Sequence, residues 1–162
     1  MAGLSFSFTL LLTILLGWGW QLARIEGQSM APTLANQDRV VLDKLAYRIG
    51  EPSRGDIVIF RPPFDPSQIF IKRIVAQPGD TVRIRDGRVY VNETLLDDTY
   101  IPADFRGHDY WGPSTLPADY YLVLGDHRNS SFDSRHWGPV HRASILGKVH
   151  ARWWPLQQAA LF

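Results

Sequence analysis

Hydrophobic and polar positions divide the chain into two parts with different patterns. Residues 4–20 are apolar without a charged side chain, and Ser, Thr and Gly alone interrupt them. From Asp38 onward, apolar and polar residues alternate in short runs that Gly and Pro separate. Alternation with a period of two is typical of strands that bury one face. The pattern therefore predicts an apolar N-terminal segment followed by a domain built mainly of short β-strands.

Short alternating or continuously apolar runs define the expected strands. Their predicted bounds are 39–43, 56–60, 68–77, 81–85, 88–91, 120–124 and 147–152. Asp86-Gly87 separates two of these runs and is typical of a two-residue hairpin turn. Residues 92–117 carry Pro, Gly and acidic residues without a regular period, which predicts a surface excursion. Residues 24–162 are expected to form one β-rich domain.

The apolar segment, extended by residues 21–23, is long enough to cross a bilayer as a helix. Trp18 and Trp20 lie at its end, where aromatic rings favour the membrane interface. A cleaved signal peptide would need a basic start and a small-x-small exit, and the segment shows neither. A helix buried in a protein core is an alternative, but an apolar surface on all sides favours lipid. We predict a retained transmembrane anchor at residues 1–23.

Composition narrows the classes of protein. The chain has 162 residues, 45% hydrophobic and 20% charged, which suits one folded domain and excludes a disordered protein. A net charge of +1 argues against nucleic acid as a partner. The absence of cysteine from the sequence excludes disulfides, thiolate catalysis and zinc sites built on cysteine.

Two side chains are candidates for nucleophilic chemistry. Ser29 precedes Pro32 in a stretch that cannot continue as a regular helix, because proline lacks an N–H. Lys72 shares one face of an apolar strand with Phe70 and Ile74. Burial there would lower the lysine pKa, and a neutral lysine can accept a proton from a serine. A lysine that reaches water along the strand edge, or a histidine base, is an alternative.

Three motifs occur in order along the chain. They are Ser29-Met30-x-Pro32-Thr33, then Lys72-Arg73 before Pro78-Gly79-Asp80, then Gly125-Asp126-x-Arg128-x-x-Ser131-x-Asp133-Ser134-Arg135-x-x-Gly138. With Arg54-Gly55-Asp56-Ile57-Val58, this combination resembles the type I (bacterial-type) signal peptidases from residue 28 to residue 148. The resemblance implies a membrane-anchored serine endopeptidase with a Ser-Lys dyad. Such an enzyme removes signal peptides from exported preproteins after small-x-small (Ala-x-Ala) sites.

The resemblance also implies a mostly antiparallel β-sheet domain that needs no cofactor and no metal. By this similarity Ser29 is the nucleophile, Lys72 the general base, and Ser131 the hydroxyl that orients the lysine amine. The Ser29 N–H would donate to the oxyanion. Some family members supply a second donor from a serine two positions earlier, where this chain has Gly27. His127 stands where the family often has Asn.

Further positions match the family's substrate pockets or its ion pairs. Asp133, Arg135 and Arg73 are expected to form structural ion pairs, because dense charges near an apolar strand need partners. Core packing is the alternative for each expected pocket residue. The residues that match the shallow pockets for small side chains are Ile25, Met30, Leu34, Val40, Ile59 and Ile71.

Two other functions are alternatives. One is a self-cleaving Ser-Lys protein similar to the SOS-response repressors, and the other is an inactive, membrane-tethered β-domain. The implied partners of a signal peptidase are signal-peptide-bearing preproteins and the lipid bilayer. We expect a single-pass protein of the cell membrane, or of a thylakoid membrane, with its catalytic domain on the extracytoplasmic side. Arg24 opposes this orientation weakly, but large domains cross membranes largely regardless of charge.

Overall fold

The computed structural model describes residues 19–162. Its two α-helices are one turn each, α1 (Ala46–Ile49) and α2 (Ser134–Trp137), so the described part is mainly β. Its strands are β1 (Trp20–Arg24), β2 (Arg39–Asp43), β3 (Ile57–Phe60), β4 (Phe70–Ala76), β5 (Thr81–Arg85), β6 (Arg88–Val91), β7 (Thr94–Leu95), β8 (Trp111–Thr115), β9 (Tyr120–Leu124), β10 (Val140–His141), β11 (Ile145–Trp154) and β12 (Ala160–Leu161).

The strands form two antiparallel sheets within the described residues. The larger sheet has the order β1-β2-β11-β3-β4-β9-β10, with β12 added to β11. The smaller sheet has the order β7-β6-β5-β8. Strand β4 is central to the larger sheet, where it pairs with β3 on one side and β9 on the other. A side chain on β4 can therefore be enclosed by neighbouring strands.

Period-two alternation predicted several strands correctly. The bounds of β2, β5, β6 and β9 agree with the prediction, and β3, β4 and β11 differ by a few residues at their ends. The hairpin at Asp86 and Gly87 is confirmed, because these residues have φ of 49° and 70°. Positive φ at both central positions matches the twist of the flanking strands.

The predicted transmembrane anchor falls largely on residues 1–18, which lie outside the described residues. The prediction of a helix is wrong for the last residues of this segment, because residues 20–23 belong to strand β1. Strand β1 pairs with β2 from Trp20↔Asp43 to Arg24↔Arg39. These backbone hydrogen bonds hold the segment extended although its side chains are mostly exposed. Across residues 19–162, we find no helix whose length and apolar character would let it cross a membrane.

The excursion at residues 92–117 has more order than its sequence suggests. It contributes β7 and β8 to the smaller sheet and contains a short 3₁₀ helix, Ala103–Phe105. Four of the five β8 residues are exposed, and Gly112-Pro113 interrupts any alternation, so the sequence pattern missed this edge strand. Ile101 and Leu116 are buried and attach the excursion to the domain.

Candidate active site

The loop that carries Ser29 is held by its apolar neighbours. Met30 and Leu34 are buried in one hydrophobic cluster, while Ser29 itself is partly exposed. The Leu34 N–H donates to the Met30 carbonyl at 2.9 Å, and the Ala31 N–H donates to the Gln28 carbonyl at 3.0 Å. The loop is therefore an ordered turn that points the Ser29 hydroxyl toward the sheet.

Lys72 reaches this hydroxyl from the middle of β4. Its Nζ donates hydrogen bonds to Ser29 Oγ at 2.8 Å and to the Ile71 carbonyl at 2.9 Å. The Phe70 ring lies on the same side, with its centroid 5.3 Å from Nζ. Lys72 is 4% exposed, so the alternative of a side chain that reaches water is wrong.

The environment of Lys72 shifts its proton equilibrium. Burial lowers the pKa of Lys72 to about 8, and the negative charges of Asp133 and Asp126 oppose the shift. Desolvation disfavours the charged ammonium more strongly than these carboxylates favour it. The neutral amine can keep the Ile71 hydrogen bond and accept the Ser29 proton, so the pair can carry out nucleophilic catalysis.

Asp133 is fully buried and fixes the loop that follows β9. Its carboxylate accepts hydrogen bonds from Arg135 Nη2 at 2.8 Å and from the Gly125 N–H at 3.0 Å. Arg135 also donates to Asp109 in the excursion. Burial would raise the pKa of Asp133, but these donors hold it below its usual value. The expectation that Asp133 and Arg135 are paired charges is confirmed, and they pair with each other.

Arg73 is also paired, although the sequence alone did not name its partner. Its Nε and Nη2 donate to the two carboxylate oxygens of Asp126 at 2.9 Å and 2.7 Å. Such a bidentate ion pair, with two parallel hydrogen bonds, restricts both side chains to one geometry. Asp126 neutralises the Arg73 guanidinium. Burial, and not repulsion from Arg73, therefore accounts for the low pKa of Lys72.

Gly125 lies where the loops carrying Ser29 and Ser131 meet. A Cβ at this position would lie 2.2 Å from Ser131 Oγ and 2.4 Å from the Ser29 carbonyl oxygen. Real Cβ atoms do not approach other heavy atoms so closely, so the contact requires glycine. Apart from the motif itself, no feature of the amino-acid pattern indicated this contact.

The structure places Ser131 differently from the prediction. Its hydroxyl is buried and has no hydrogen-bond partner among the described residues, so the predicted bond to the Lys72 amine is not formed. The hydroxyl lies near Asp133 and helps to lower its pKa, but without hydrogen-bond geometry. The Ile71 carbonyl holds the amine instead. Sequence reasoning missed this backbone acceptor because any residue supplies one.

A cavity of about 770 Å³ is lined by residues of β1, β2, β3, β4 and β11, among them Phe70 and Ile71, which directly precede Lys72. Of the predicted pocket residues, Ile25, Val40, Ile59 and Ile71 line it. Met30 and Leu34 do not line it, and their role in substrate binding stays a prediction. They are 1% and 0% exposed and belong to the hydrophobic cluster behind the cavity wall. Leu42, Ile145 and Leu146 line the cavity without having been predicted.

Residues 1–154 match the family described as signal peptidase, peptidase S26. The chain belongs to this family. Peptidase S26 relatives include a probable signal peptidase I-2 of Synechocystis, 45% identical over 142 residues that cover 85% of this chain and 64% of the relative. A thylakoidal processing peptidase 1 of Arabidopsis thaliana is 38% identical, over 81% of this chain and 41% of the relative. The chain thus spans less than two thirds of the length of these two relatives.

A signal peptidase I of solved structure shares the fold. The crystal structure of the enzyme from Enterococcus faecalis is 33% identical, with a TM-score of 0.55 over 62% of this chain and 98% of that chain. The mainly antiparallel β-domain is therefore of signal-peptidase type, as the sequence predicted.

Proposed function

We propose that this chain is a membrane-bound serine endopeptidase that removes signal peptides from exported preproteins by a Ser-Lys dyad. The observation that carries the proposal is the hydrogen bond between Ser29 Oγ and a lysine amine that is buried and has a pKa of about 8. Membership of the signal peptidase family supports the reaction class.

In the proposed mechanism, Ser29 Oγ attacks the carbonyl carbon of the scissile peptide while its proton passes to Lys72 Nζ. The ammonium of Lys72 then gives a proton to the departing amine, and a water molecule activated by Lys72 releases the acyl group. The Ser29 N–H donates no hydrogen bond to another described residue, which leaves it available for the oxyanion. The orienting role of Ser131 stays a prediction.

The cavity is the proposed binding site for substrate side chains. An extended peptide points alternate side chains to the same side, so the residues first and third before the scissile bond would enter the cavity together. Phe70 and Ile71 precede Lys72, and Ile25 precedes Ser29 by four positions, so these lining residues connect the cavity wall to the reacting pair along the chain. The proposed preference for small-x-small sites rests on membership of the signal peptidase family.

We also propose that the apolar residues before β1 anchor the chain in a membrane, with the domain on the extracytoplasmic side. The similarity to a thylakoidal processing peptidase makes the thylakoid membrane one location to test. Protease added to intact spheroplasts should digest the domain. Digestion that occurs only after lysis would contradict this orientation.

The function is tested with a preprotein that carries Ala-x-Ala at its junction, presented in detergent micelles. Wild-type protein should cleave at that junction, and Ser29→Ala and Lys72→Ala should be inactive. Ser130→Ala changes an exposed serine next to Ser131 and should retain wild-type activity. Cleavage by Ser29→Ala at the wild-type rate would overturn the proposal.

A further inference from the structure

The direction of one peptide plane determines where the proposed oxyanion donor points. The Gln28 carbonyl and the Ser29 N–H belong to the same planar peptide unit, so fixing the oxygen also fixes the N–H. On the preceding side Gly27 has φ +90° and nothing within 4 Å of the place where a Cβ would be. The orientation of the 28–29 peptide plane therefore depends on what binds the Gln28 carbonyl, and one such donor is the Ala31 N–H of the turn.

The ring of His127 adds a second restraint. Its Nδ1 lies 3.2 Å from the Gln28 carbonyl oxygen, which also accepts the Ala31 N–H. A carbonyl oxygen can only accept, so the ring must carry its proton on Nδ1 to make this bond. The His127 backbone N–H donates in turn to the Ser29 carbonyl at 3.1 Å. One residue therefore binds both peptide units that flank the Ser29 Cα.

The excursion holds this ring from the other side. The Phe105 ring lies against the imidazole, with centroids 4.4 Å apart and planes inclined by 46°. Asn129 Nδ2 donates to the Asp104 carbonyl at 2.8 Å, which ties the same 3₁₀ helix to the loop after β9. The imidazole thus lies between Phe105 and Gln28, and its rotation is restricted.

From these contacts we infer that His127 is a positioning residue, which aims the Ser29 N–H at the oxyanion by binding the Gln28 carbonyl. The inference rests on the proposed function. A hydrogen bond to the carbonyl also polarises the amide and makes its N–H a better donor. Because Gly27 has no hydroxyl, the Ser29 N–H carries more of the oxyanion stabilisation, and its aim matters more.

Two substitutions whose side chains have similar shapes distinguish the hydrogen bond of His127 from its packing. In His127→Asn the side-chain amide nitrogen is as far along the side chain as Nδ1, so it can donate to Gln28. His127→Leu has the same branching without a donor. We expect His127→Leu to lower kcat by about ten- to a hundredfold, as for a misplaced catalytic group, with KM within about twofold. His127→Asn should keep kcat within about threefold of wild type.

A peptide aldehyde ending in Ala-x-Ala provides a second measurement. It adds to Ser29 Oγ as a hemiacetal whose oxygen lies at the oxyanion position. His127→Leu should weaken its inhibition by about the same factor as kcat, while His127→Asn should not. Counting active sites by covalent titration corrects each rate for unfolded protein. His108→Leu, remote in sequence and paired with Asp86, is the matched control and should behave as wild type.

The outcomes distinguish this inference from the proposed function. If wild type cleaves and Ser29→Ala does not, but His127→Leu equals wild type in kcat, the positioning role alone is overturned. The same holds if His127→Asn is as slow as His127→Leu, which would point to His127 as a proton acceptor. A wild-type protein without cleavage activity would overturn the proposed function instead.

Discussion

Ser29 Oγ and Lys72 Nζ lie 2.8 Å apart although 43 positions separate them in the chain. The contact joins a surface turn to the centre of the larger sheet, so one end of it is partly exposed and the other is buried. This asymmetry suits the proposed chemistry, because the nucleophile must meet a substrate while the base must stay out of water.

The pH dependence of cleavage should report the state of Lys72. The base must be neutral, and burial lowers the pKa of Lys72 to about 8. The value of kcat/KM should therefore rise with pH through an acid limb near 8 in the free enzyme. Lys72→Arg should be nearly inactive at every working pH, because a guanidinium keeps its proton. An arginine variant within tenfold of wild type would remove Lys72 from the mechanism.

Lys72→Met should be inactive but more stable than wild type at pH 7. The folded-state pKa of about 8 lies below the roughly 10.4 of an unfolded lysine. Below pH 8 the lysine is charged in both states, and folding bears the full cost of burying that charge. Methionine removes this cost, so the free energy of unfolding should rise by roughly 1–3 kcal/mol. Urea unfolding measures the gain, which should shrink between pH 8 and pH 10.4.

Ser131→Ala should retain at least a tenth of the wild-type kcat/KM. Its hydroxyl is buried without a hydrogen-bond partner among the described residues, so removing it should change the free energy of unfolding by less than about 1 kcal/mol. Steady-state cleavage and thermal unfolding test the two parts separately. A loss of more than a hundredfold would show that Ser131 binds the lysine amine once substrate is present.

Gly125→Ala should inactivate the protein by displacing the nucleophile. The added methyl would lie 2.4 Å from the Ser29 carbonyl oxygen and 2.2 Å from Ser131 Oγ. Both contacts require the loops to separate, and a displacement of about 1 Å at a reacting group can cost about a hundredfold in rate. Gly138→Ala is a control, since nothing lies within 4 Å of its Cβ position, although its φ of +89° adds backbone strain. Equal activity of the two variants would contradict the close contact.

Trp154 should contribute to lipid binding more than Trp153. Trp154 is 44% exposed, whereas Trp153 is half-buried with an enclosed indole nitrogen. A chain truncated before Gly19 keeps β1 and lacks the apolar run, so its binding to liposomes reports on the domain. Trp154→Ser should weaken that binding, since indole rings favour the interface. Tyr110 is 72% exposed and directly precedes β8 of the smaller sheet, so Tyr110→Ser is the control and should bind as the parent does.

The sequence predicted the strands that bury one face and expose the other. It missed the strands that are exposed on both faces. Strand β2 alternates between exposed and buried residues and was predicted with its observed bounds. Strand β1 is exposed on both faces and continues from an apolar run, so hydrophobicity along the chain suggested helix up to residue 23. Pairing with β2 decided its conformation, and a partner distant in sequence leaves no local pattern.

The candidate site was predictable where side-chain chemistry is specific. Burial of a lysine among apolar residues of a strand indicated both its enclosure and the direction of its pKa shift. The acceptor that holds its amine is the Ile71 carbonyl, and the group that restrains the Ser29 loop includes the Gln28 carbonyl. Backbone groups are the same at every residue, so the sequence could not indicate either contact.

Strand β1 ends at Arg24, and Ser29 follows in the ordered turn beyond it. All five β1 residues are paired with β2, so this connection cannot stretch as a loose linker would. With the preceding apolar run in a bilayer, as we propose, the nucleophile stays at a nearly constant height above the lipid. A substrate would then be cut only where its own membrane segment ends at a matching level. Changing the length of a preprotein's apolar segment by one helical turn, about 5 Å, should therefore move or abolish the cut.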